Sequence, residues 1–344
     1  MTLRIASGTI FEEYGGVSKH IFDIRRYSKH RVSIFPAKLT RIILNRWRGA
    51  KPSYKRMINP DRLRRYQIIH SHADPWFEEQ CRQAKSHRCK WVHTFHSYFF
   101  PDDYEQGLAG WQELENFSLT DICSRADLRI SVSPWLHDFL KERFAIETIV
   151  LENGVDIDMV QHIDGIRFSE RYRQVDFILY IGGIREVKNP LFVLKLAEQL
   201  PKEKLVMIGE KLTFQNLKEK YHIDIPPNVI LLGSLPFREV LEAMAACKVY
   251  LMTSKRESMP YSLLEAMSLG KAVVAPDHSG PQNVLSGTGA GLLYRPDSIS
   301  DAIDKIRAAT ASSSLGNAAR ALIASRYDVR KQVAKLDELY DSLN

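Results

Sequence analysis

Cysteine is scarce in this chain: Cys81, Cys89, Cys123 and Cys247 are the only four among 344 residues. None stands in C-x-x-C spacing or has the histidine partners of a zinc motif, so ordinary reduced thiols are expected. Long apolar runs are missing as well. No stretch approaches the length of a membrane span, and Met1-Thr-Leu-Arg-Ile-Ala6 lacks a signal-peptide pattern, which makes the cytoplasm the expected location. No G-x-G-x-x-G follows the first strand-like segment, which argues against a redox dinucleotide enzyme. Asp102 and Asp103 are adjacent carboxylates without a further ligand constellation, so no metal is expected.

Acidic residues are few in the first part of the chain. Residues 1–90 hold 20 Lys and Arg against 7 Asp and Glu, whereas residues 91–344 hold 28 against 34. The densest basic stretch, residues 38–65, carries Arg41, Arg46, Arg48, Lys51, Lys55, Arg56, Arg62 and Arg64, with Asp61 its only acid. Leu39, Ile42, Ile43, Leu44, Trp47, Tyr54 and Met57 are interleaved and make part of it amphipathic if helical, the pattern of an anionic-membrane contact. Nucleic acid is the rival partner, and a solvated basic loop is the plain alternative; no RNA- or DNA-binding motif accompanies the run.

What is present throughout is alternation of strand-like and helix-like segments. At 44% apolar and 26% charged the composition is that of an ordinary globular protein, and 344 residues exceed one hydrophobic core. Strands are predicted at 3–7, 31–35, 66–70, 91–95, 128–132 and 148–151, with helices at 16–28, 76–86, 109–125 and 134–143. After a polar connection read as irregular, near 158–173, the rhythm restarts. Strands are predicted at 175–182, 204–208, 228–232, 248–253, 272–275 and 291–294, with helices at 190–199, 212–220, 236–246 and 260–269. The expectation is α/β, two Rossmann-like domains over 1–160 and 161–325 with a cleft between them. An amphipathic C-terminal helix, 326–344, is expected to pack back toward the first.

The segment Glu257-Ser-Met-Pro-Tyr-Ser-Leu-Leu-Glu265, with Gly270 behind it, places two carboxylates around a helix start. Pro260 suits the first helical position and Gly270 the residue past the end. The N–H groups of such a helix start attract phosphate, and Glu257 and Glu265 can accept hydrogen bonds from hydroxyls on either side of it. A sugar nucleotide fits this pattern; a charged helix start with a solvated Glu265 is the alternative.

Taken in order, the landmarks resemble the retaining, GT-B-fold glycosyltransferases of family 4, whose signature is Glu, seven residues, Glu. Gly15-Gly16-Val17 resembles that family's flexible turn near the donor diphosphate. Ile68-Ile-His-Ser-His72 and Val92-His-Thr-Phe-His96 resemble its His-tipped strands. Glu152-Asn-Gly-Val-Asp156 resembles its interdomain turn, and Ile181-Gly-Gly-Ile-Arg-Glu-Val-Lys-Asn189 resembles its glycine turn with a downstream Lys.

The resemblance implies metal-independent transfer of a sugar, with retained configuration and no cofactor, from a UDP- or GDP-sugar to a glycan or lipid-linked acceptor. It makes Lys188 the cation on the leaving diphosphate, Glu257 the holder of sugar hydroxyls, Glu265 the holder of the ribose diol and His96 a partner of the transferred sugar. Gly15, Gly16, Gly183 and the Met259-Pro260-Tyr261-Ser262 turn would line the nucleotide site. One departure stands out: relatives carry Arg where this chain has Gly183, and Arg185 is the candidate replacement. His70, His72 and His93 are read as satisfying local hydrogen bonds. A sugar-nucleotide 2-epimerase on the same fold, a nucleic-acid-binding protein and a catalytically silent sugar-binding relative are the competing functions.

Overall fold

The computed structural model describes residues 2–8, 15–35 and 59–343. Of the basic stretch, residues 38–58 lie outside the described residues. The chain divides into two compact units: Met1–Phe100, Leu108–Asn153 and Val329–Asn344 form the first, and Pro101–Gly107 with Gly154–Asp328 form the second.

Each unit is built on a parallel six-stranded sheet. In the first, β1 (Arg4–Ser7), β2 (Arg31–Ile34), β3 (Ile68–Ser71), β4 (Lys90–Phe95), β5 (Leu128–Ser131) and β6 (Ile149–Val150) lie in the order β2-β1-β3-β4-β5-β6. In the second, β7 (Phe177–Ile181), β8 (Lys204–Ile208), β9 (Val229–Gly233), β10 (Val249–Leu251), β11 (Ala272–Pro276) and β12 (Leu292–Tyr294) lie in the order β12-β11-β10-β7-β8-β9. Strands covered by helices on both faces read as uninterrupted apolar runs, and Phe177 to Tyr180 are buried without a break.

The strand order fixes where ligands can be held. In each sheet the chain first builds outward on one side and then crosses to the other, leaving a crevice beyond the carboxyl ends of the two strands flanking the reversal. Those strands are β1 and β3 in the first unit and β7 and β10 in the second.

Three helix starts after strands share one device, a polar cap followed by proline. Asp74 accepts from the Trp76 and Phe77 amides at 3.1 Å, Ser133 from Leu136 at 3.2 Å and Asn189 from Phe192 at 3.4 Å, each with Pro at the next position. Proline has no N–H to leave unpaired there, and its fixed φ suits the first turn.

The helix Val329–Ser342 belongs to the first unit. Leu336 and Tyr340 join Leu3, Ile5, Ile24 and Val92 in its core. The Tyr340 hydroxyl shares a 2.6 Å hydrogen bond with His70 Nδ1, and Asp337 accepts from the Ser28 hydroxyl at 2.5 Å and the Lys29 amide at 2.8 Å. Burying a side chain of this size stabilises by about 1.5–3 kcal/mol.

Two stretches differ from the pattern-based reading. Residues 109–125, read as one helix, are a helix over Gly110–Phe117, a π turn over Ser118–Ile122 and a 3₁₀ turn over Cys123–Arg125. Asn116 there exchanges hydrogen bonds with the Phe99 backbone at 2.9 and 2.7 Å, and the Ser118 hydroxyl donates to buried Glu78. Residues 158–173, read as irregular, carry helices at Ile157–Val160 and Ile166–Tyr172; Phe168 and Tyr172, one turn apart, meet as tilted rings, and Phe168 also packs on Phe177.

Candidate active site

In the second unit the loops leaving β7 and β10, on either side of the crossover, come together. The β7 loop begins with Gly182, whose amide donates to the Ile208 carbonyl at 2.9 Å. A Cβ at Gly182 would lie 2.4 Å from the Tyr180 hydroxyl, and one at Gly209 would lie 1.9 Å from the Gly182 carbonyl oxygen, so two glycine turns pack backbone on backbone. Gly183 sits in the same crowded place, where a Cβ would come within 3.3 Å of the Glu210 carbonyl.

The loop then forms a 3₁₀ turn, Glu186–Lys188, held from several sides. The Lys188 carbonyl accepts from the Tyr180 hydroxyl at 3.2 Å and from Thr253 Oγ1 at 3.0 Å, while the Val187 carbonyl accepts from the Lys255 amide at 2.8 Å. Lys188 Nζ forms an ion pair with Glu257 Oε1, and the Ser254 hydroxyl donates to the same oxygen at 2.7 Å. Both side chains of the pair retain solvent access, 25% for Lys188 and 16% for Glu257, which leaves them reachable by a ligand.

Glu257 is positioned by its backbone too. Its carbonyl accepts from the Gly280 amide at 2.8 Å, and a Cβ at Gly280 would lie 2.2 Å from the Ser258 carbonyl oxygen. The helix that follows runs over Tyr261–Ser268. Pro260 is its cap residue rather than its first helical one, and it offers the first-turn amides no side-chain acceptor. The amides of Tyr261 and Ser262 therefore stand at the positive end of the helix. Ser262 Oγ accepts from the Tyr250 hydroxyl at 2.8 Å, and Met259 is buried behind the turn. Glu265, one turn in, is 4% exposed. Gly270, at φ +71°, ends the helix with the paired bonds of a Schellman motif, Gly270 N–H to Met267 and Lys271 N–H to Ala266.

Arg185 is exposed at the start of the 3₁₀ turn and makes no ion pair among the described residues. Glu186 is taken by Lys220 at 2.8 Å and by the Glu105 amide at 2.5 Å. The neighbour of Glu257, Arg256, pairs with Asp103 at 3.0 and 3.4 Å. Sequence reasoning singled out neither Ser254, Tyr180 nor Arg256; the signal in the sequence was that Arg256 adjoins Glu257 and Ser254 stands three residues before it.

The first unit places a histidine cluster beyond the ends of β3 and β4. Gly15 caps the helix Gly16–Tyr27, with its carbonyl accepting from the Lys19 amide at 2.9 Å, and His20 lies one turn in. The His20 ring meets His72 and His96 edge-on at 5.5 and 4.9 Å between centroids. His72 Nδ1 and His96 Nε2 are 3.0 Å apart, and His72 Nε2 is 3.3 Å from Ser7 Oγ. The structure thus joins Gly15–Gly16 to His96 through His20, which the sequence reading did not single out. Burial holds these rings neutral: it lowers His20 to about 4, outweighing the opposing pull of a hydrogen bond to Asn153, and drives His72 and His96 well below the ordinary histidine value. Neutral imidazoles both donate and accept, which suits hydroxyl recognition.

His70 and His93 serve the interior. His70 Nε2 is 2.8 Å from Thr94 Oγ1, and His93 Nδ1 is 2.8 Å from Ser71 Oγ, which also accepts from Trp91 Nε1 at 2.8 Å. Among the described residues, two groups have the donor spacing to hold a metal ion, His20 with His72 and His96, and Glu78 with His93 and Cys123. Both are knit by hydrogen bonds, and burial raises Glu78 to about 8, favouring a protonated carboxyl over a ligand anion.

Residues 19–159 match the family model Glycosyltransferase Family 4, and residues 165–327 match Glycosyl transferases group 1. A glycosyltransferase of Methanocaldococcus jannaschii, itself uncharacterised, is 24% identical over 237 residues, which is 64% of this chain and 60% of that protein. The chain therefore matches less than two thirds of that relative's length. The UDP-Gal:α-D-GlcNAc-diphosphoundecaprenol α-1,3-galactosyltransferase of Escherichia coli is 23% identical over 276 residues, 72% of this chain and 68% of that one. Among solved structures, Anabaena HepE in complex with UDP and glucose superposes with a TM-score of 0.77 at 17% identity, covering 99% of this chain and 100% of that one. With both units matched by family models and the two-sheet architecture shared with solved glycosyltransferases, the chain is a GT-B-fold member of glycosyltransferase family 4.

Proposed function

We propose that this glycosyltransferase moves a sugar from a UDP- or GDP-sugar to a glycan or lipid-linked acceptor in cell-surface polysaccharide or lipopolysaccharide synthesis, with retained anomeric configuration and without a metal. The observation that carries the reading is the convergence of Lys188, Glu257 and Ser254 in the loops that lead to the helix start at Tyr261, at the crossover of the second sheet.

Breaking the bond between sugar and diphosphate leaves negative charge on the departing oxygen, and fixed donors aimed at that charge lower the barrier. Lys188 supplies the full charge. The Tyr261 and Ser262 amides supply the partial charge of the helix start. Glu257 then exchanges its ion pair with Lys188 for donor-sugar hydroxyls, and Glu265 holds the ribose diol. Arg185, exposed and without an ion pair among the described residues, is the second cation that Gly183 does not provide. In the first unit, His96 accepts from or donates to a hydroxyl of the transferred sugar as a neutral ring.

The Escherichia coli relative is named for a diphosphoundecaprenol-linked acceptor, which supports a lipid-linked acceptor here and peripheral placement at the inner membrane face. Among the described residues no helix is long and apolar enough to cross a membrane. The deciding experiment is a thermal-shift screen against nucleotide sugars followed by product analysis with and without acceptor and chelator. A stabilising UDP- or GDP-sugar and acceptor-dependent transfer support the reading. Conversion of the donor with no acceptor present would replace it by epimerisation, and failure of every sugar nucleotide at saturation would end it.

A further inference from the structure

The first sheet carries a recess on its flank. This recess of about 520 Å³ is lined by Arg4, Arg31, Arg62 and Arg65 together with Phe35 and Tyr66. Arg4 and Arg31 are the first residues of β1 and β2 and stand in register, so their side chains leave the same sheet face one strand spacing apart. Arg62 and Arg65 come from the short helix Pro60–Leu63 and the turn after it, and Arg4 Nη2 donates to the Arg65 carbonyl at 2.6 Å, tying the two sides together. The Phe35 and Tyr66 rings meet edge-on at 5.7 Å and form an apolar wall.

Among the described residues no carboxylate lines this recess. Asp61, the acid near it in sequence, is engaged by Arg64 at 2.6 Å, and Arg64 is not part of the lining. Arg4, Arg31 and Arg65 form no ion pair among the described residues. These three like charges stand close together with no counter-charge among the described residues, and a guest that offers several anionic oxygens relieves their repulsion. Guanidinium groups match phosphate oxygens two at a time. None of the residues assigned above to donor or sugar lines the recess.

We infer that this recess is a binding site for a phosphate-bearing anion, separate from the donor site of the second unit. Two sources share that chemistry: the headgroup of an anionic phospholipid, and a small soluble phosphate. The inference does not depend on the transferase reading.

The test compares the full wild-type chain, the Arg4→Gln/Arg31→Gln variant, the milder Arg31→Gln variant and Lys188→Ala. Inorganic pyrophosphate is titrated by calorimetry, and vesicles of phosphatidylcholine with or without phosphatidylglycerol are tested by co-sedimentation. Pyrophosphate binding that falls at least tenfold in the double variant, falls partway in Arg31→Gln and survives in Lys188→Ala supports the site. If sedimentation with phosphatidylglycerol vesicles falls in parallel, the headgroup is the source; if it does not change, the soluble anion is. Pyrophosphate affinity equal in wild type and the double variant, when both melt at the same temperature, overturns the inference. So does vesicle binding by a wild type that does not bind pyrophosphate, which marks diffuse charge attraction, and so does binding of a single-stranded oligonucleotide alone.

Discussion

Lys188 and Glu257, 69 residues apart in sequence, meet as an ion pair at the crossover of the second sheet, with the Ser254 hydroxyl on the same carboxylate oxygen. Each therefore holds the other in place before any ligand arrives. That pairing also limits the desolvation cost of keeping both charges in a partly buried site, since an unpaired charge there would be more costly.

If Lys188 neutralises the leaving diphosphate as proposed, replacing it by Ala removes that full positive charge. We expect kcat/KM for transfer to fall by about 10²–10³-fold, the usual effect of losing one fixed donor of this kind. Lys188→Arg keeps charge but changes shape and should recover only part of the loss. An unchanged kcat/KM in Lys188→Ala, measured with the best donor of the thermal-shift screen, would remove Lys188 from the reaction.

Arg185 carries a separate prediction. If it stands in for the cation missing at Gly183, Arg185→Ala lowers donor affinity and rate together, by about tenfold for one partly exposed charge-assisted contact. Equal donor KM and kcat in wild type and variant would show that the site manages with Lys188 and helix amides alone. Gly183→Arg is no simple rescue, because its Cβ must fit 3.3 Å from the Glu210 carbonyl.

Gly280→Ala tests how far backbone packing supports Glu257. The new methyl would lie 2.2 Å from the Ser258 carbonyl and 2.7 Å from the Glu257 carbonyl, so the loop must move. We expect a loss of about 1–3 kcal/mol in urea denaturation, with a raised donor KM. Wild-type stability combined with wild-type KM would refute the arrangement.

Stability of the first unit should fall in mild acid. His20 titrates at about 4 when folded against 6.5 in the unfolded chain, so the unfolded state binds more protons between those values. Stability therefore rises with pH across that window, is fully present above about pH 6.5, and is lost as pH falls toward 4. A shift of this size is worth a few kcal/mol. Denaturation midpoints of wild type and His20→Gln at pH 5 and 7 check it: the pH 5 to 7 gain should shrink in the variant, and an equal gain would count against a buried neutral His20.

Much of the second unit was legible because buried parallel strands announce themselves. Phe177 to Ile181 and Ala272 to Ala275 are apolar runs bounded by polar turns, and Gly270 marks a helix end by the conformation it alone adopts without strain. The Glu257–Glu265 helix was legible for the same local reasons, within one residue at Pro260. What stayed hidden depends on long-range contact. Arg256 finds Asp103 across 153 positions, a pairing with no periodicity to betray it. The helix read over 109–125 breaks because Asn116 bonds to Phe99 and Ser118 to Glu78, and neither partner is near in sequence. His20 needed the sheet to bring it to His72 and His96.

The helix Val329–Ser342 has a consequence for how the molecule is made. Synthesis runs from the amino end, and domains fold as their residues emerge. The second unit, closed by Asp328, has all its residues before the first does, although its main segment begins only at Gly154. The first unit waits for Leu336 and Tyr340, the last pieces of its core, and keeps Leu3, Ile5 and Val92 incompletely covered until they arrive. In vectorial synthesis the earlier-made unit is thus the later to mature, and a stop codon near residue 328 would spare the second unit while leaving the first without its closing helix.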